Sequence, residues 1–453
     1  MTEATANSGM KDTDPHLTQF ERFEAEPKQP SWLFPLRKAG LARFAELGFP
    51  TLNDEDWRFT NVAPIARLPF KPVFQSARDG VTAATITKFS FGTLPASRLV
   101  FVDGHYTADL SAPGKEAQGI VVTNLASALT AHSELLEKHL GQHAQTSDNA
   151  FTALNTAYFE DGAFIYVPKG KALSAPVHVL FISTGKEAGA TTHPRNLVVA
   201  ERGSQATILE TYASTGEAAY FTNAATELVL AEGAVVEHCK IQDENPCAFH
   251  VAAIHAHLGR SSNLIAHSIA TGARLSRNNI RTSLAGEGVE CVLNGLYITK
   301  GEQLADHHMV VEHAQPHCNS HEYYNGILDG RSKGVFHGRI LVRQAAQKTD
   351  AKQTNKNLLL SEDATADTKP QLEIYADDVK CTHGATVGQL NEESIFYLRA
   401  RGIGADTARR MLIHAFAGEI IERIRHAAAR EEMDKTVWDR LEANPLVAQC
   451  LTT

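Results

Sequence analysis

The sequence predicts a mainly β protein in which a β-solenoid lies between two helical regions. From about residue 163 to residue 390 the chain consists of short segments rich in Val, Ile, Leu and Thr, separated by Gly or Asp turns, with no convincing helix. Within this stretch a glycine turn recurs at a nearly constant interval. On both sides of it, apolar residues follow helical spacing.

The recurring turn is the main indication of a solenoid. A glycine separates two apolar segments at Gly203, Gly233, Gly259 and Gly286, so the steps between them are 30, 26 and 27 residues. Units of this length without interleaved helices are typical of a β-helix, in which each coil buries its apolar face on the next. The interval is lost after Gly286, and the next comparable turn is at Gly330, so a β-sandwich stays open as an alternative.

The regions before the solenoid differ from it in pattern. Residues 1–72 are predicted to be helical, with apolar residues at near-helical spacing in SWLFPLRKAGLARFAEL, namely Leu36, Leu41, Phe44 and Leu47. Residues 73–162 form a mixed α/β connector, which contains a hairpin at Asp103-Gly104, a strand in GIVVTNL and a helix in LASALTAHSELLEKHLGQH. The β-helix core is then assigned to residues 163–390.

Residues 391–453 are predicted to form a C-terminal helical domain. Leu412, Phe416, Ile420 and Ile424 repeat every four residues on one face, and Ala405-Asp406 supplies the N-cap region. An apolar face of this kind needs a partner. That partner is either the β-core of the same chain or another protein.

Composition and motifs exclude several classes of function. The net charge is −9 with acidic and basic residues interspersed, which argues against nucleic acid as a partner. The chain has no apolar run near twenty residues that would span a membrane. The acidic N-terminus lacks an apolar segment typical of a signal peptide, so we expect a cytoplasmic protein. The chain has no P-loop, no GxSxG, no HExxH and no GxGxxG in a βαβ context, so no nucleotide should be hydrolysed or bound by this chain.

Two groups of His and Cys residues are candidates for metal chemistry. His313, His317, Cys318 and His321 lie within nine residues, but strand alternation would send neighbours to opposite faces, and the spacing is not one that zinc sites use. The six cysteines contain no CxxC pair. A metal-dependent enzyme built on the 313–321 patch stays an alternative.

The second group lies in VKCTHGATVGQL. A strand running to Gly384 would place Cys381 and His383 on the same face, next to the apolar Val379. On an internal face both would be core residues, because free cysteine is among the most buried residue types. His383, beside a glycine at the predicted strand end, is harder to bury, which makes it the stronger candidate for a ligand.

A long stretch of the sequence resembles a known family. The run from Gly334 to Ile403, GVFHGRILVRQAAQKTDAKQTNKNLLLSEDATADTKPQLEIYADDVKCTHGATVGQLNEESIFYLRARGI, resembles the SufB/SufD family of scaffold subunits in the SUF system of iron–sulfur cluster assembly. The resemblance extends upstream through DHHMVVEHAQPHCNSHEYYNGILDGRS and, more weakly, to FPTLNDEDWRFTN. KCTHGATVGQL favours the SufD branch, because SufB carries a Glu-His-Glu type sequence there and an upstream cysteine that LLLSEDATADTKP lacks.

The resemblance implies a right-handed parallel β-helix and a scaffold rather than an enzyme. It implies a complex of SufB, SufD and two copies of the ATPase SufC, with sulfur supplied by a cysteine desulfurase and, in some complexes of the family, with reduced flavin. It assigns His383 as a ligand of a transient iron–sulfur cluster at the SufB junction, with Cys381 as a weaker candidate. It places SufC on the C-terminal region, where Leu412, Phe416, Ile420 and Ile424 lie.

One further expectation concerns the contact with SufB, and one alternative function is left to consider. A solenoid leaves open strand edges at its ends, so we expect SufB to pair with the end that contains VKCTHGATVG, or a homodimer to form through the same surface when SufB is absent. A β-helix polysaccharide lyase would share the solenoid, but such enzymes normally act outside the cell. The missing signal peptide argues against that alternative.

Overall fold

The computed structural model describes residues 15–16, 18–21, 29–75, 80–91, 97–117, 119–144 and 146–442. Its central feature is a parallel β-solenoid, as the sequence predicts. Two sheets, one of eleven strands and one of ten, take alternate strands of the chain, so each coil contributes one strand to each sheet. The strand pairs from β5–β6 to β20–β21 make about eight coils.

The strands are numbered in chain order. The first eleven are β1 Lys71–Pro72, β2 Ser97–Val102, β3 His105–Tyr106, β4 Val121–Asn124, β5 Ala163–Val167, β6 Val177–Ser183, β7 Ala190–Thr192, β8 Arg195–Ala200, β9 Gln205–Ser214, β10 Phe221–Leu230 and β11 Val235–Asp243. The next ten are β12 Phe249–Leu258, β13 Asn263–Ala270, β14 Leu275–Leu284, β15 Glu290–Thr299, β16 Leu304–His313, β17 Asn319–Leu328, β18 Lys333–Val342, β19 Asp350–Leu359, β20 Thr365–Ile374 and β21 Lys380–Gly388.

The described helices lie before and after the solenoid. They are α1 Leu33–Leu47, a short 3-10 helix Glu55–Trp57, α2 Ala63–Ala66, α3 Ala83–Lys88, α4 Leu125–Ala131, α5 Ser133–His139, α6 Ala150–Tyr158, α7 Glu392–Arg399, α8 Ala405–Ile421 and α9 Ala427–Glu442. The predicted helix in the N-terminal region is therefore confirmed as α1. The helix predicted after β4 is divided at His132 into α4 and α5, and α6 was not predicted.

The first sheet runs in the order β20-β18-β16-β14-β12-β10-β8-β5-β4, and the second runs β21-β19-β17-β15-β13-β11-β9-β6-β2-β3. All ladders are parallel except the two at the start, β2 with β3 and β4 with β5. The first of these is the predicted hairpin, in which Asp103 and Gly104 both have positive φ. The connector therefore adds strands to both sheets.

The turns at one corner of the solenoid stack on each other, which explains the repeating glycines. Gly203 and Gly233 have φ of 65° and 66°, the left-handed region that glycine adopts without strain. Gly259 and Gly286 serve a different purpose, because a Cβ at either would lie within 3 Å of the backbone of the preceding turn. The left-handed residues of those two coils are Ser261 and Gly288.

The core of the solenoid lies between the sheets, because alternate residues of each strand point inward. Val198, Ile254, Leu293 and Met309 belong to this central cluster and are buried. The opposite faces are also covered by the helices of the same chain. The strands of the middle coils are therefore buried on both faces, as in parallel sheets generally.

The two groups of helices cover different sheets. Phe164, Leu197 and Val199 of the first sheet pack with Leu33 of α1 and with α4 and α5. The second sheet presents Leu209, Cys239, Ile269, Leu296 and Ile327 to α8 and α9. Among the described residues, no helix is long and apolar enough to cross a membrane.

Candidate metal-binding site at the end of the solenoid

Cys381 and His383 lie on β21, the last strand of the second sheet. The register aligns Cys381 with Ala351 and His383 with Gln353 of β19. Ala351 and Gln353 are buried, and both lie on the inward face of their coil. The predicted sharing of one face by Cys381 and His383 is therefore confirmed, and that face is the inward one.

The inward face of the last coil is open to solvent. His383 is exposed and Cys381 is only partly buried, whereas the residues in the same positions of the preceding coil are 1 % exposed. The reason is that, among the described residues, no further coil is stacked on β20 and β21. Two residues that would be core residues in any earlier coil thus become surface residues here.

The strand at this end is longer than predicted. It does not end at Gly384 but continues to Gly388, because its pairing with β19 extends to Leu358. His383 is therefore in the middle of a strand and not at its end. A Cβ at Gly384 would meet nothing within 4 Å, so the glycine leaves open space beside His383.

The two side chains differ in their chemistry. Partial burial, together with the nearby Asp350 carboxylate, raises the pKa of the Cys381 thiol above its ordinary value, which keeps it protonated at neutral pH. Cys381 also packs against the apolar cluster of Ile340, Val342 and Ala346. An exposed neutral imidazole is a better metal ligand than a protonated, half-packed thiol.

Exposed apolar side chains surround this end face. Ile374 and Tyr375 at the end of β20 are 39 % and 61 % exposed, and Val387 on β21 is 48 % exposed. β20 and β21 are also the last strands of their sheets. An open sheet edge beside exposed apolar residues is a surface suited to another protein.

The 313–321 patch does not form a site. His313 is buried and its imidazole bonds the hydroxyls of Ser320 and Thr349, while Cys318 is buried and its thiol faces the Gly286 carbonyl. His317 is exposed in a turn, and His321 lies on β17 near Asp350. The structure therefore separates these side chains, as strand alternation predicts, and the metal-enzyme alternative loses its basis.

The predicted apolar face of the C-terminal helix is mostly directed at its own chain. Ile420 and Ile424 are 1 % and 0 % exposed in the cluster beneath α8 and α9, and Phe416 packs against the same cluster. Leu412 is half-buried. The sequence pattern identified a face that holds the helix on the solenoid.

The exposed apolar residues of the C-terminal region lie elsewhere. Phe396 and Tyr397 of α7 are 73 % and 57 % exposed, and Met411 of α8 is 39 % exposed. The Arg401 guanidinium lies 3.5 Å from the centre of the Tyr397 ring. This surface, Phe396, Tyr397 and Met411, is called the α7 surface below, and helical periodicity alone did not indicate it.

A buried polar network inside the early coils was also missed by the sequence reading. The Glu210 carboxylate accepts hydrogen bonds from Tyr212 and Thr226 and lies 2.8 Å from His238. Beside it, the Lys240 ammonium donates to His250, and burial lowers the pKa of Lys240 to about 8. Charged residues at alternate positions of predicted strands are the signal that could have indicated it. Its charged groups are paired with one another inside the core, so it is a buried network rather than an open site.

Comparison with known proteins decides the family. The model of the SufBD core domain of SUF iron–sulfur cluster assembly matches residues 181–416, and the model of the SufBD N-terminal region matches residues 17–179. The chain belongs to the SufBD family. The predicted resemblance is therefore confirmed, and the core-domain match covers strands β7 to β21 of the solenoid together with α7 and most of α8.

Individual relatives support the same assignment over nearly the whole chain. A SufBD family protein of iron–sulfur cluster assembly from Synechocystis is 33 % identical over 88 % of this chain and 89 % of its own length. The iron–sulfur cluster assembly protein SufD of Escherichia coli is 32 % identical over 96 % of this chain and 99 % of its own length. The protein of the same name from Bacillus subtilis is 27 % identical over 89 % and 92 %.

Proposed function

We propose that this SufBD family chain is a non-catalytic scaffold that assembles iron–sulfur clusters jointly with a second subunit, SufB, at the open end of its solenoid. The observation that carries the proposal is the exposed inward face of the last coil, with His383 at its centre. The Escherichia coli and Bacillus subtilis relatives are named as iron–sulfur cluster assembly proteins. The cluster is cargo, which the scaffold holds and releases.

The ligand chemistry explains why a second subunit is needed. His383 and Cys381 are two potential ligands, whereas a cluster is held by about four. Among the described residues, this end of the solenoid does not form a group of three ligands close enough for one ion. A partner that supplies thiolates would complete the set, and separation of the two chains would release the cluster.

The proposed contact with SufB uses the end coil. β20 and β21 each have one unpaired edge, and Ile374, Tyr375 and Val387 provide apolar area beside it. Pairing of strand edges supplies backbone hydrogen bonds, and the apolar residues supply the burial that makes the contact stable. When SufB is absent, the same surface would pair two copies of this chain.

The proposed contact with the ATPase SufC uses the α7 surface rather than the buried stripe. Phe396 and Tyr397 project from a helix whose Ile395 anchors it to the protein. Large aromatic residues that are exposed next to an arginine are typical of the centre of a protein interface. Nucleotide hydrolysis would then occur in SufC and be transmitted to this chain through α7 and α8.

The cluster role is tested in the co-expressed complex with SufB and SufC. We expect His383→Ala to leave the complex assembled and to lower its iron content and cluster absorbance at least severalfold, because the imidazole is lost while the interface residues remain. His321→Ala is the matched control. It removes a partly exposed histidine from β17, which is separated from β21 by one strand of the same sheet. Wild-type iron loading in the His383→Ala complex would contradict the ligand assignment.

The contact with SufC is tested by point variants. Deletion of residues 394–453 would remove Ile420, Ile424 and the rest of the cluster that covers the second sheet, so loss of binding after that deletion would not be informative. Phe396→Asp changes only an exposed side chain and should abolish retention of SufC on the tagged chain. Tyr375→Asp, at the other exposed surface, should retain SufC and lose SufB. Full SufC yield with Phe396→Asp would reject the α7 surface as the contact.

A further inference from the structure

A second group of metal-ligating side chains lies on the other sheet from His383, where the N-terminal region crosses the solenoid. The 3-10 helix Glu55–Trp57 lies on the outer face of the first sheet, where the Glu55 carboxylate accepts a hydrogen bond from Lys369 and the Trp57 ring lies against Arg277. Between these two contacts, Asp56 meets the outward-facing His308 of β16 and His337 of β18. Ligand atoms of these three residues all lie within 4.8 Å of one another.

The distances fit ligands of one ion better than hydrogen bonds. Nε2 of His308 is 3.8 Å from Oδ1 of Asp56, which is too long for a hydrogen bond. Two ligands about 2.1 Å from an ion in tetrahedral geometry stand about 3.4 Å apart, so a small movement would let both bind one ion. His308 and His337 are paired directly across the two strands, and their ring centres are 4.2 Å apart.

The two histidines are prepared for metal in different ways. Nε2 of His337 donates a hydrogen bond of 2.7 Å to Oε1 of Gln371, which leaves the lone pair on Nδ1. A ligand histidine usually donates its other nitrogen in this way, because the hydrogen bond orients the ring and fixes its tautomer. His308 is 7 % exposed; its Nδ1 has no hydrogen-bond partner within the described part of the chain, and its Nε2, 3.8 Å from Oδ1 of Asp56, is beyond hydrogen-bond distance. A buried imidazole without partners is costly, and an ion bound at one of its nitrogens would offset that cost.

Three arginines, Arg277, Arg281 and Arg339, lie near His308 and would repel an incoming cation if they were unpaired. The nearby cations are themselves paired, Arg277 with Asp306 at 2.5 Å, Arg281 with Asp148 at 2.8 Å and Arg339 with Glu373 at 3.5 Å. Each carboxylate offsets the repulsion that its arginine would exert on an incoming cation.

The site can be reached from solvent. The Asp56 side chain is 56 % exposed, and a cavity of about 40 Å³ is lined by Asp56, His308, Asn279 and neighbouring residues. A space of this size holds water molecules, which would fill the remaining coordination positions of a bound ion.

We propose that Asp56, His308 and His337 bind a divalent first-row transition-metal ion that fastens the N-terminal segment to the solenoid. Two imidazoles and one carboxylate, with positions left for water, are a ligand set for Zn²⁺, Co²⁺ or Fe²⁺. The proposal does not depend on the cluster role of His383. The ligands of the proposed ion are residues 56, 308 and 337, so the ion would join parts of the chain that are distant in sequence.

The experiment is Co²⁺ titration of the full chain after treatment with EDTA, followed by visible absorption, with Zn²⁺ used as the competitor. We expect one equivalent of Co²⁺ per chain, and an affinity that falls about tenfold or more in Asp56→Asn and in His337→Ala. Asp56→Asn is the decisive variant because it replaces an exposed carboxylate by an amide of the same shape. Zn²⁺ should raise the melting temperature of the native chain more than that of Asp56→Asn, since the ion binds only the folded state.

Two controls separate this site from the alternatives. His321 and Asp350 are another histidine and carboxylate 3.8 Å apart on the surface, so His321→Ala should leave Co²⁺ binding unchanged. His383→Ala should also leave it unchanged, which distinguishes this site from the end coil. The proposal would be overturned if both Asp56→Asn and His337→Ala bound Co²⁺ as tightly as the native chain. It would also be overturned if either control variant lost Co²⁺ binding, or if the native chain showed no saturable Co²⁺ binding.

Discussion

The middle coils and the last coil of the solenoid are built alike but have different surroundings. One inward column of the second sheet passes through Cys291, Ser320, Ala351 and Cys381, and its neighbour through Leu293, Glu322, Gln353 and His383. All of these are buried except the last member of each column. The same position in the repeat is therefore core in one coil and surface in the next.

The difference in coverage changes the chemistry of identical side chains. Complete burial raises the pKa of Cys291 to about 12, so its thiol is an inert packing group. Cys381 is partly open and its pKa is also raised, yet reagents can reach it. An inward residue of a solenoid thus acquires reactivity only where stacking ends.

The largest expected difference between the two regions is in packing energy. Leu293→Ala should lower the free energy of unfolding by about 2 to 5 kcal/mol, because it leaves a cavity in the central cluster. His383→Ala, in the same column, should change it by less than about 0.5 kcal/mol, because the imidazole is exposed. Denaturant unfolding of the two variants measures both values. Similar losses would mean that the end coil is covered in solution.

A second prediction concerns the charge of Glu322, two coils before the end face. Burial raises its pKa from 4.5 to about 7, and only the Gln353 amide donates to it among the described contacts. The folded state therefore favours the protonated acid. Its contribution to stability is fully present below about pH 4.5 and is lost as the pH rises through about 7.

Glu322→Gln should remove this dependence. At pH 8 the variant should be more stable than the native chain by on the order of 2 kcal/mol, whereas at pH 4.5 the gain should disappear. Unfolding curves at the two pH values test this. Glu373→Gln, at a partly exposed acid on β20, serves as the control and should show no comparable pH-dependent gain. A gain that is equal at both pH values would contradict a raised pKa of Glu322 in the folded state.

The smallest expected difference sharpens the comparison between identical residues. Cys291→Ala should cost about 1 kcal/mol because it opens a small cavity, and Cys381→Ala should cost less. Alkylation rates give a second measure, since Cys381 should react with iodoacetamide under native conditions while Cys291 stays unmodified. Peptide mass spectrometry of the labelled chain distinguishes the two. Equal labelling would show that the middle coils open as readily as the end.

Much of the fold follows from local patterns. The glycine interval predicted the solenoid because the corner turn must repeat whenever coils stack. The hairpin at Asp103-Gly104 and the N-terminal helix were predicted from turn chemistry and apolar spacing, and the structure has both. The helix α6 was not predicted, because all nine of its residues are buried, and a short buried run cannot be assigned to helix or strand from periodicity alone.

The candidate sites could be predicted from local sequence patterns only in part. The period of two correctly placed Cys381 and His383 on one face, but it could not reveal that this face is uncovered. Likewise, the spacing of Ile420 and Ile424 correctly indicated an apolar helix face and left open whether the solenoid or a partner covers it. The structure assigns that face to the solenoid and leaves Phe396 and Tyr397 exposed.

The sequence by itself determined the fold class, the family and the pairing of Cys381 with His383 on one side of a strand. These properties depend on residues that are near one another in the chain, whose geometry is set by the strand period and by turn chemistry. Only the tertiary structure decided that His383 ends an uncovered column, and that Asp56 meets His308 and His337. The physical reason is that burial and ligand grouping depend on which distant segment lies against a face, and periodicity carries no information about that neighbour.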